Sequence, residues 1–420
     1  MSRPPDIRIE DLGEPQLAPE VVAQIEASKP LADALPFHVE GVCGAAMAET
    51  GLDDFGAEDF RERLALLLRG FEQDGGYTPL GCLSAFGYVQ RLARNRLRLE
   101  DLYKRHPEIN EVEVAPPIVI AGLPRTGTTH LHNLISADPN ISSLPYWEAL
   151  EPFPAVGDEP GPGEPDPRLA RCAQTLAGQD VVMPHFKRMH EMTVEHVHEE
   201  IDLYAMDFSG MTFETIARSP GWLEWYKASD QTPHYRYLRK ALAALQWLRG
   251  GGDRWVLKTA QHLEQLGPLL KVFPGATVVM THRDPVSIVA SLGTMIAYGA
   301  RLTEEKVDPP AIAAWWKGRT LDQLSACIED AHKVPAAQSV HVHFDRFMAD
   351  DVAAVKRIYE VAGQPMPSTS VDAIRAYMRE HPRGRHGRVL YDLADFDLSN
   401  AVLREEFRFY TEHFDVTLES

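Results

Sequence analysis

The sequence predicts an α/β fold with three layers (αβα), in which helices cover both faces of a mostly parallel central sheet, and a helical N-terminal region precedes it. Four short segments, each rich in β-branched or aromatic residues, are separated by segments with helical periodicity. This alternation is typical of parallel strands joined by helical crossovers, which bring the carboxyl ends of the strands to one edge. The predicted strands are residues 118–121, 254–258, 277–281 and 339–344.

The N-terminal region, residues 1–112, is predicted to be helical. Thr78 is typical of a helix N-cap, and Pro79 is typical of the first helical position. Apolar residues upstream recur with the spacing of one buried helix face. They are Phe60, Leu64, Leu67, Leu68 and Phe71.

The rest of the chain, residues 113–420, is predicted to be an α/β domain with a helical insertion at about residues 150–250. Within this insertion, residues 152–167 are rich in proline, glycine and acidic residues, which indicates a surface loop. Four cysteines lie far apart and form no CxxC pair, which favours reduced thiols over a disulfide framework or a zinc site. They are Cys43, Cys82, Cys172 and Cys327.

The chain is acidic, with a formal net charge of −19 over 420 residues. This charge argues against general binding to nucleic acid or anionic membranes, so an anionic ligand requires a local basic cluster. The sequence has no apolar run of eighteen residues and no signal-peptide core. We therefore expect a cytoplasmic protein without an integral membrane segment. Its oligomeric state is open, and a homo-oligomer is possible.

A glycine-bracketed loop follows the first predicted strand. Gly122 and Gly127 bracket it, and Thr128-Thr129 open a segment of helical periodicity. Strand, loop and helix in this order are typical of P-loop nucleotide-binding folds, where backbone N–H groups at the helix start bind a phosphate or sulfate. A nucleotide triphosphate loop carries lysine at the position of Thr128. Here the cation is Arg125, whose planar fork can grip two oxygens.

A second candidate anion site follows the third predicted strand. Asp284 and Pro285 have the pattern of an N-cap and a first helical residue, and Arg283 precedes them. Arg283 could hold a second phosphate with the help of Ser291. Taken alone, the pattern favours a capped helix whose arginine makes a surface ion pair.

These motifs together resemble the sulfotransferases that use 3′-phosphoadenosine-5′-phosphosulfate (PAPS). That family carries a PxxGTT phosphosulfate loop, here Pro124-Arg-Thr-Gly-Thr-Thr129, and an arginine followed eight residues later by serine, here Arg283 and Ser291. Three segments are similar to those of a bacterial branch of the family, whose members often modify lipids or small hydroxylated metabolites. These segments are GLPRTGTTHLHNL, RWVLKTAQH and THRDP. The resemblance runs from about Pro117 to the C-terminus.

The resemblance implies PAPS as co-substrate, adenosine 3′,5′-bisphosphate as product, and no metal. It implies that Arg125 stabilises charge on the bridging and sulfonate oxygens during in-line transfer. The rest of the loop supplies hydroxyl and backbone donors to the 5′-phosphate, from Thr126, Gly127, Thr128 and Thr129. Because no triphosphate has to be neutralised, the missing lysine is explained.

A general base is expected at the end of the second predicted strand. Many family members carry a lysine there and a histidine four residues later, which Lys258 and His262 match, although Ala260 replaces the usual proline. The resemblance implies that His262 takes the acceptor proton and that Lys258 positions the sulfonate. A strand-end lysine with a helix-capping histidine is the alternative.

Residues 190–202 are dense in histidine and acidic residues. Helical spacing would scatter these groups, so the pattern favours a solvated helix face over a metal site. In the similar branch a glutamate here often faces the acceptor pocket. Glu200 is therefore the rival base, with His190 as a helper.

Two further features bear on ligands. Family members close the nucleotide site with a basic loop near the C-terminus, and the resemblance places this loop at residues 381–388. Arg385 is its expected contact with the 3′-phosphate. A solvated basic turn is the alternative. An aromatic-rich stretch fits either an apolar acceptor site or core packing. Its members are Trp222, Trp225, Tyr226, Tyr235 and Tyr237.

The leading hypothesis is transfer of a sulfonate to a hydroxyl of a small molecule or lipid. One rival is a P-loop kinase or ATPase, disfavoured because Thr128 replaces the lysine and no strand ends in a suitable aspartate. The other rival is a catalytically inactive nucleotide-binding scaffold.

Overall fold

The structure is a computed structural model that describes residues 3–158, 160–161, 163–252 and 254–419. Glu159 and Pro162, in the predicted surface loop 152–167, lie outside the described residues. The described part of that loop contains no helix or strand up to Asp166.

Five parallel strands form the central sheet of the described chain, in the spatial order β3-β6-β2-β7-β8. Two-residue pairs lie outside it, with β1 parallel to β9 and β4 antiparallel to β5. The strands are β1 Ile7–Arg8, β2 Ile118–Ala121, β3 Ile141–Ser142, β4 Leu144–Pro145, β5 Val197–His198, β6 Arg254–Lys258, β7 Thr277–His282, β8 Ser339–His343 and β9 Val389–Leu390. All four predicted strands are therefore confirmed, the third one residue longer and the fourth one residue shorter than expected.

Helices fill the N-terminal region and alternate with the strands. Up to the sheet's central strand β2 they are α1 Pro19–Ala27, α2 Lys29–Asp33, α3 Val39–Thr50, α4 Phe60–Asp74 and α5 Pro79–Arg105. Between β2 and β7 they are α6 Thr128–Ser136, α7 Tyr146–Leu150, α8 Pro167–Val182, α9 Ile201–Ala205, α10 Pro220–Ala228, α11 Thr232–Leu248 and α12 Leu266–Val272. After β7 they are α13 Pro285–Thr303, α14 Pro309–Asp330, α15 Phe344–Ala349, α16 Asp351–Ala362, α17 Ser368–Glu380, α18 Asn400–Glu406 and α19 Arg408–His413.

The side chains of β2 alternate between two hydrophobic cores, one on each face of the sheet. Ile118 and Ile120 pack with residues of α6, α16 and α17. Val119 and Ala121 pack with residues of α4, α5, α11, α12 and α13. Since successive residues of a strand point to opposite faces, this arrangement confirms the predicted three-layer α/β fold. The predicted boundary at residue 112 stays a prediction, because the N-terminal helices share a core with the sheet.

Both predicted helix starts are confirmed. The Thr78 hydroxyl oxygen accepts a 3.0 Å hydrogen bond from the Gly81 N–H at the start of α5, and Asp284 Oδ1 accepts one of 3.1 Å from Val286 N–H at the start of α13. Such caps satisfy N–H groups that the helix itself leaves unpaired.

Helix α13 is the one described helix with the length and apolar composition of a membrane span. Of its most apolar window, 61% is buried inside the protein, where it packs against α5 and α14. This burial indicates a core helix. The cytoplasmic location expected from the sequence stays a prediction.

Candidate active site

Three neighbouring strands bring the predicted site segments to one edge of the sheet. Lys258 at the end of β6 pairs with Ile120 of β2, and Ala121 at the end of β2 pairs with Met280 of β7. Parallel strands end on the same side, so the loop after β2, Lys258 and the segment after β7 meet there.

The loop after β2 is held in a tight conformation by its glycines. A Cβ atom on Gly122 would lie 1.8 Å from Thr281 Oγ1 and 2.8 Å from Thr128 Cγ2. Gly127 is the N-cap of α6 and has a φ of 88°, and Arg125 shares the left-handed region with a φ of 71°. A non-glycine residue in this region stores strain, which proteins retain mostly at functional sites.

The close contact of Gly122 predicts a large effect from one methyl group. We expect Gly122→Ala to lower the free energy of unfolding by about 1–3 kcal/mol, because Thr281 has to move. The control is Gly318→Ala in the middle of α14, where a Cβ atom meets nothing within 4 Å; it is expected to raise stability by about 0.5–1 kcal/mol. Urea unfolding of both variants measures the difference, and equal effects would contradict the proposed crowding.

The loop threonines divide between the interior and the surface. Thr126 and Thr128 are buried, and the Thr126 hydroxyl donates to the carbonyl oxygen of Leu123 at 2.7 Å and contacts Thr281 Oγ1 at 2.6 Å. Gly127 and Thr129 line a cavity together with Arg125. The Thr126 hydroxyl, expected to face a ligand, is therefore used inside the loop.

Arg125 lies at the centre of the site. Its Nε donates to Ser291 Oγ at 3.0 Å, and its Nη1 donates to the Met189 carbonyl oxygen at 2.6 Å. Within the described residues, no acceptor bonds its Nη2. Burial lowers the pKa of the guanidinium, and the nearby charge of Arg283 lowers it further. An anion would stabilise this charge.

The cavity beside Arg125 has a volume of about 410 Å³. Its wall is strongly basic, although the chain as a whole is acidic, and Glu191 and Glu195 are its acidic members. The other basic or histidine residues of the wall are His130, Lys187, Arg188, His190, His196, His381, Arg383, Arg385 and His386. Sequence reasoning missed Lys187 and Arg188, and no local motif distinguishes them. His130 and His196 lie in segments that it singled out, but it gave them no role.

Arg283 and Ser291 both contact Arg125. Arg283 donates through Nη1 to the Arg125 carbonyl oxygen at 2.6 Å, and through Nε and Nη2 to the Glu419 carboxylate at 2.5 and 2.8 Å. Its guanidinium carbon lies 4.1 Å from the centre of the Phe344 ring. Neither Arg283 nor Ser291 is among the described residues that line the cavity. The two residues are thus brought to the loop, with Glu419 as an anionic partner that the sequence did not indicate.

Arg385 lines the cavity, as expected for the basic C-terminal loop. It forms an ion pair with Glu191, and His386 contacts the same carboxylate at 2.9 Å. Burial alone would raise the pKa of Glu191, but Arg385 and His386 lower it below its ordinary value.

A buried chain of hydrogen bonds connects the two candidate bases. His262 Nε2 lies 2.6 Å from Glu200 Oε1, and His262 Nδ1 lies 2.7 Å from the Tyr235 hydroxyl. Glu200 Oε2 accepts from the Lys258 backbone N–H at 2.8 Å. His262 and Glu200 are only 1% and 2% exposed. Burial would raise the pKa of Glu200, but the hydrogen bonds from His262 and Lys258 lower it. The Lys258 ammonium is paired with Glu199.

The expectation of a solvated helix over residues 190–202 is wrong. Only Ile201–Ala205 is helical, and the segment before it forms turns and β5. His190 packs against His196, and burial followed by the charge of Lys258 lowers its pKa to about 3. The segment is not helical because the pairing of β5 with β4 and the contacts in the wall of the basic cavity stabilise it more than a local helix would.

The aromatic-rich stretch belongs to the hydrophobic core. Trp222, Tyr226 and Tyr235 are at most 2% exposed, and Trp225 and Tyr237 pack against them. The packing interpretation of this stretch is confirmed.

A model of the sulfotransferase family matches residues 116–368, more than half of the chain. The chain belongs to the sulfotransferase family. It resembles the crystal structure of the sulfotransferase STF1 from Mycobacterium tuberculosis H37Rv, with 27% identity and a TM-score of 0.76 over 87% of this chain and 97% of that one. It shares the fold of the sulfotransferase STF9 from Mycobacterium avium, with 24% identity and a TM-score of 0.80 over 91% and 98% of the two chains. No curated protein gives a significant match.

Sulfotransferase activity and, in general terms, a hydroxyl-bearing acceptor follow from this family membership. Over the described residues, no group of three or more His, Cys, Asp or Glu side chains is arranged to hold a metal ion. What the site offers instead are hydrogen-bond donors and positive charge: the N-terminus of α6, the guanidinium of Arg125 and the basic cavity wall. These groups fit an anionic sulfonate donor.

Proposed function

We propose that this sulfotransferase-family protein transfers a sulfonate from PAPS to a hydroxyl of a small-molecule or lipid acceptor. The acceptor oxygen forms the new bond to sulfur while the bridging sulfur–oxygen bond breaks in line, and adenosine 3′,5′-bisphosphate leaves. The acceptor proton passes to a general base. One observation carries the proposal: Arg125, in the left-handed backbone region and half-buried beside the N-terminus of α6, lines a basic cavity in a chain of net charge −19.

The donor's phosphosulfate group is proposed to bind at the start of α6. The N–H groups of Gly127, Thr128 and Thr129 supply donors for the 5′-phosphate, and the exposed edge of Arg125 reaches the bridging and sulfonate oxygens. The Thr126 side chain supports the loop from behind, since its hydroxyl is already bonded to Leu123. Lys258 positions the sulfonate after it exchanges Glu199 for the donor.

The 3′-phosphate is proposed to bind Arg283, Ser291 and Arg385. Two of these residues have a partner that the phosphate would replace, Glu419 for Arg283 and Glu191 for Arg385. Ser291 accepts from Arg125 and can keep this contact while its hydroxyl proton is donated to the phosphate. A dianionic phosphate competes well for a guanidinium, because charge-assisted pairs with two parallel hydrogen bonds are strong.

Glu200 is proposed as the general base, with His262 as the residue that positions it. An ionised carboxylate only accepts hydrogen bonds, so His262 Nε2 donates to Glu200, and His262 Nδ1 is hydrogen-bonded to the Tyr235 hydroxyl. Both imidazole nitrogens are then occupied. The carboxylate retains unused lone pairs and can accept a further proton donor.

Nucleotide binding separates the proposal from its rivals. Adenosine 3′,5′-bisphosphate at a hundred times its dissociation constant should stabilise the fold by about 2.7 kcal/mol and raise the melting temperature. ATP with Mg²⁺ should have no such effect. Stabilisation by ATP alone would favour a kinase or ATPase, and stabilisation by adenosine bisphosphate without sulfonate transfer to any alcohol would favour an inactive scaffold.

A further inference from the structure

A second, larger cavity lies between α8 and α13, with a volume of about 580 Å³. This volume is in the range of pockets that bind small organic ligands. Its walls are mostly apolar, in contrast to the basic cavity beside Arg125. The larger apolar residues that α8, the segment after it and α13 contribute to this wall are Val182, Met183, Phe186, Met295, Ile296 and Leu302.

One segment lines both cavities, and helix α13 links the apolar cavity to Arg125. Met183 and Phe186 line the apolar cavity, and the residues directly after them, Lys187–Glu191, line the basic one. Along α13, Ser291 contacts Arg125, and Met295 of the apolar wall follows four residues later, about 6 Å along the helix axis. A molecule in the apolar cavity would therefore lie next to the contacts that hold Arg125.

The one cation among the described wall residues of the apolar cavity is already paired, because Arg218 binds Glu304 through two hydrogen bonds of 2.7 and 2.9 Å. Glu214 Oε2 accepts from Arg319 Nε at 2.7 Å, whereas Glu214 Oε1 is buried without a partner among the described residues. An anionic ligand would therefore lose its hydration without meeting a free positive charge in this wall. The wall disfavours an anionic ligand.

Two glycines leave room for larger side chains in the two helices that line the apolar cavity. Gly178 of α8 and Gly299 of α13 both line it, and a Cβ atom on either would meet nothing within 4 Å. Larger side chains at these positions can therefore reduce the cavity without crowding the fold.

We propose that this cavity holds the hydrocarbon body of the acceptor, which is a neutral alcohol with a large apolar portion. The inference rests on the proposed function for its reacting hydroxyl, whereas the binding of the hydrocarbon depends only on the cavity. The apolar body is bound along α13 and the hydroxyl is directed to Arg125. Burial of each methylene contributes about 0.8 kcal/mol, roughly fourfold in affinity.

The test uses primary alcohols from 1-butanol to 1-decanol with PAPS as donor. In the wild type, KM should fall steadily with chain length, up to roughly fourfold for each methylene. Gly299→Phe and Gly178→Phe should each raise the KM for 1-decanol at least tenfold and flatten the dependence on chain length. The matched control is Gly318→Phe in α14, where a Cβ atom also meets nothing within 4 Å; it should keep the wild-type dependence.

Calorimetry of 1-decanol binding without donor, beside binding of adenosine 3′,5′-bisphosphate, separates the two proposals. Binding of 1-decanol that is lost in Gly299→Phe, with nucleotide binding retained, supports the apolar cavity as the hydrocarbon site. Absence of 1-decanol binding, or equal binding in wild type and Gly299→Phe, overturns it. If 1-decanol binds in this way but the nucleotide does not bind, the proposed function fails and the cavity assignment stands for a neutral alcohol as ligand.

Discussion

Replacement of Arg125 by glutamine is expected to lower kcat by about a hundredfold to a thousandfold. The loss follows from the removal of a preorganised donor from the oxygens on which charge develops. The preorganisation is visible in the contacts of Arg125 with Ser291 and Met189, which orient the guanidinium and leave its Nη2 without a partner among the described residues. Initial rates with PAPS and a saturating alcohol measure the effect.

The variant Arg125→Lys tests whether charge alone is sufficient. Lysine keeps the charge but lacks the planar fork, so we expect it to recover only part of the lost rate. Arg346→Gln is the control for loss of one positive charge, because the Arg346 side chain is 69% exposed on α15. A higher KM with unchanged kcat in Arg125→Gln would contradict a role in the transition state and leave Arg125 as a ground-state binding residue.

The fold was predictable where its determinants are local. The strand at 118–121 and the helix starts at Thr78 and Asp284 each depend on a few neighbouring residues, and the structure places them as predicted. The pairing of β1 with β9 joins Ile7 to Val389 across nearly the whole chain. Two-residue strands carry no periodicity, so a sequence pattern cannot indicate such a pair.

In the candidate site, too, the residues that belong to a contiguous motif were predictable from the sequence. Sequence reasoning found Arg125 and the loop because the motif is contiguous, and their positions at the end of β2 follow from the strand order. It could not find that the Thr126 hydroxyl contacts Thr281, that Glu419 pairs with Arg283, or that His190 lies close enough to Lys258 for the lysine charge to lower its pKa. These contacts join residues far apart in the chain, and each depends on packing that only the folded molecule creates.

Glu200→Gln is expected to lower kcat by about a hundredfold to ten-thousandfold at every pH, because an amide cannot take the acceptor proton. His262→Leu should cause a smaller loss. The His262 imidazole is hydrogen-bonded at Nε2 to Glu200 and at Nδ1 to Tyr235, so its role is to orient the carboxylate and to keep it ionised. Retained stabilisation by adenosine 3′,5′-bisphosphate in both variants is the control for folding.

The pH profile distinguishes a positioning residue from a base. In the wild type, burial raises the pKa of Glu200. The hydrogen bond from His262 and those from the other donors outweigh this effect, so the pKa of Glu200 lies below its ordinary value. Without His262 the burial remains and its main counterweight is lost, so the pKa of Glu200 rises. A base acts only when deprotonated, and the acidic limb of kcat/KM should therefore move to higher pH in His262→Leu, with activity recovered as the pH is raised. Activity lost at all pH values in His262→Leu but retained in Glu200→Gln would make His262 the base.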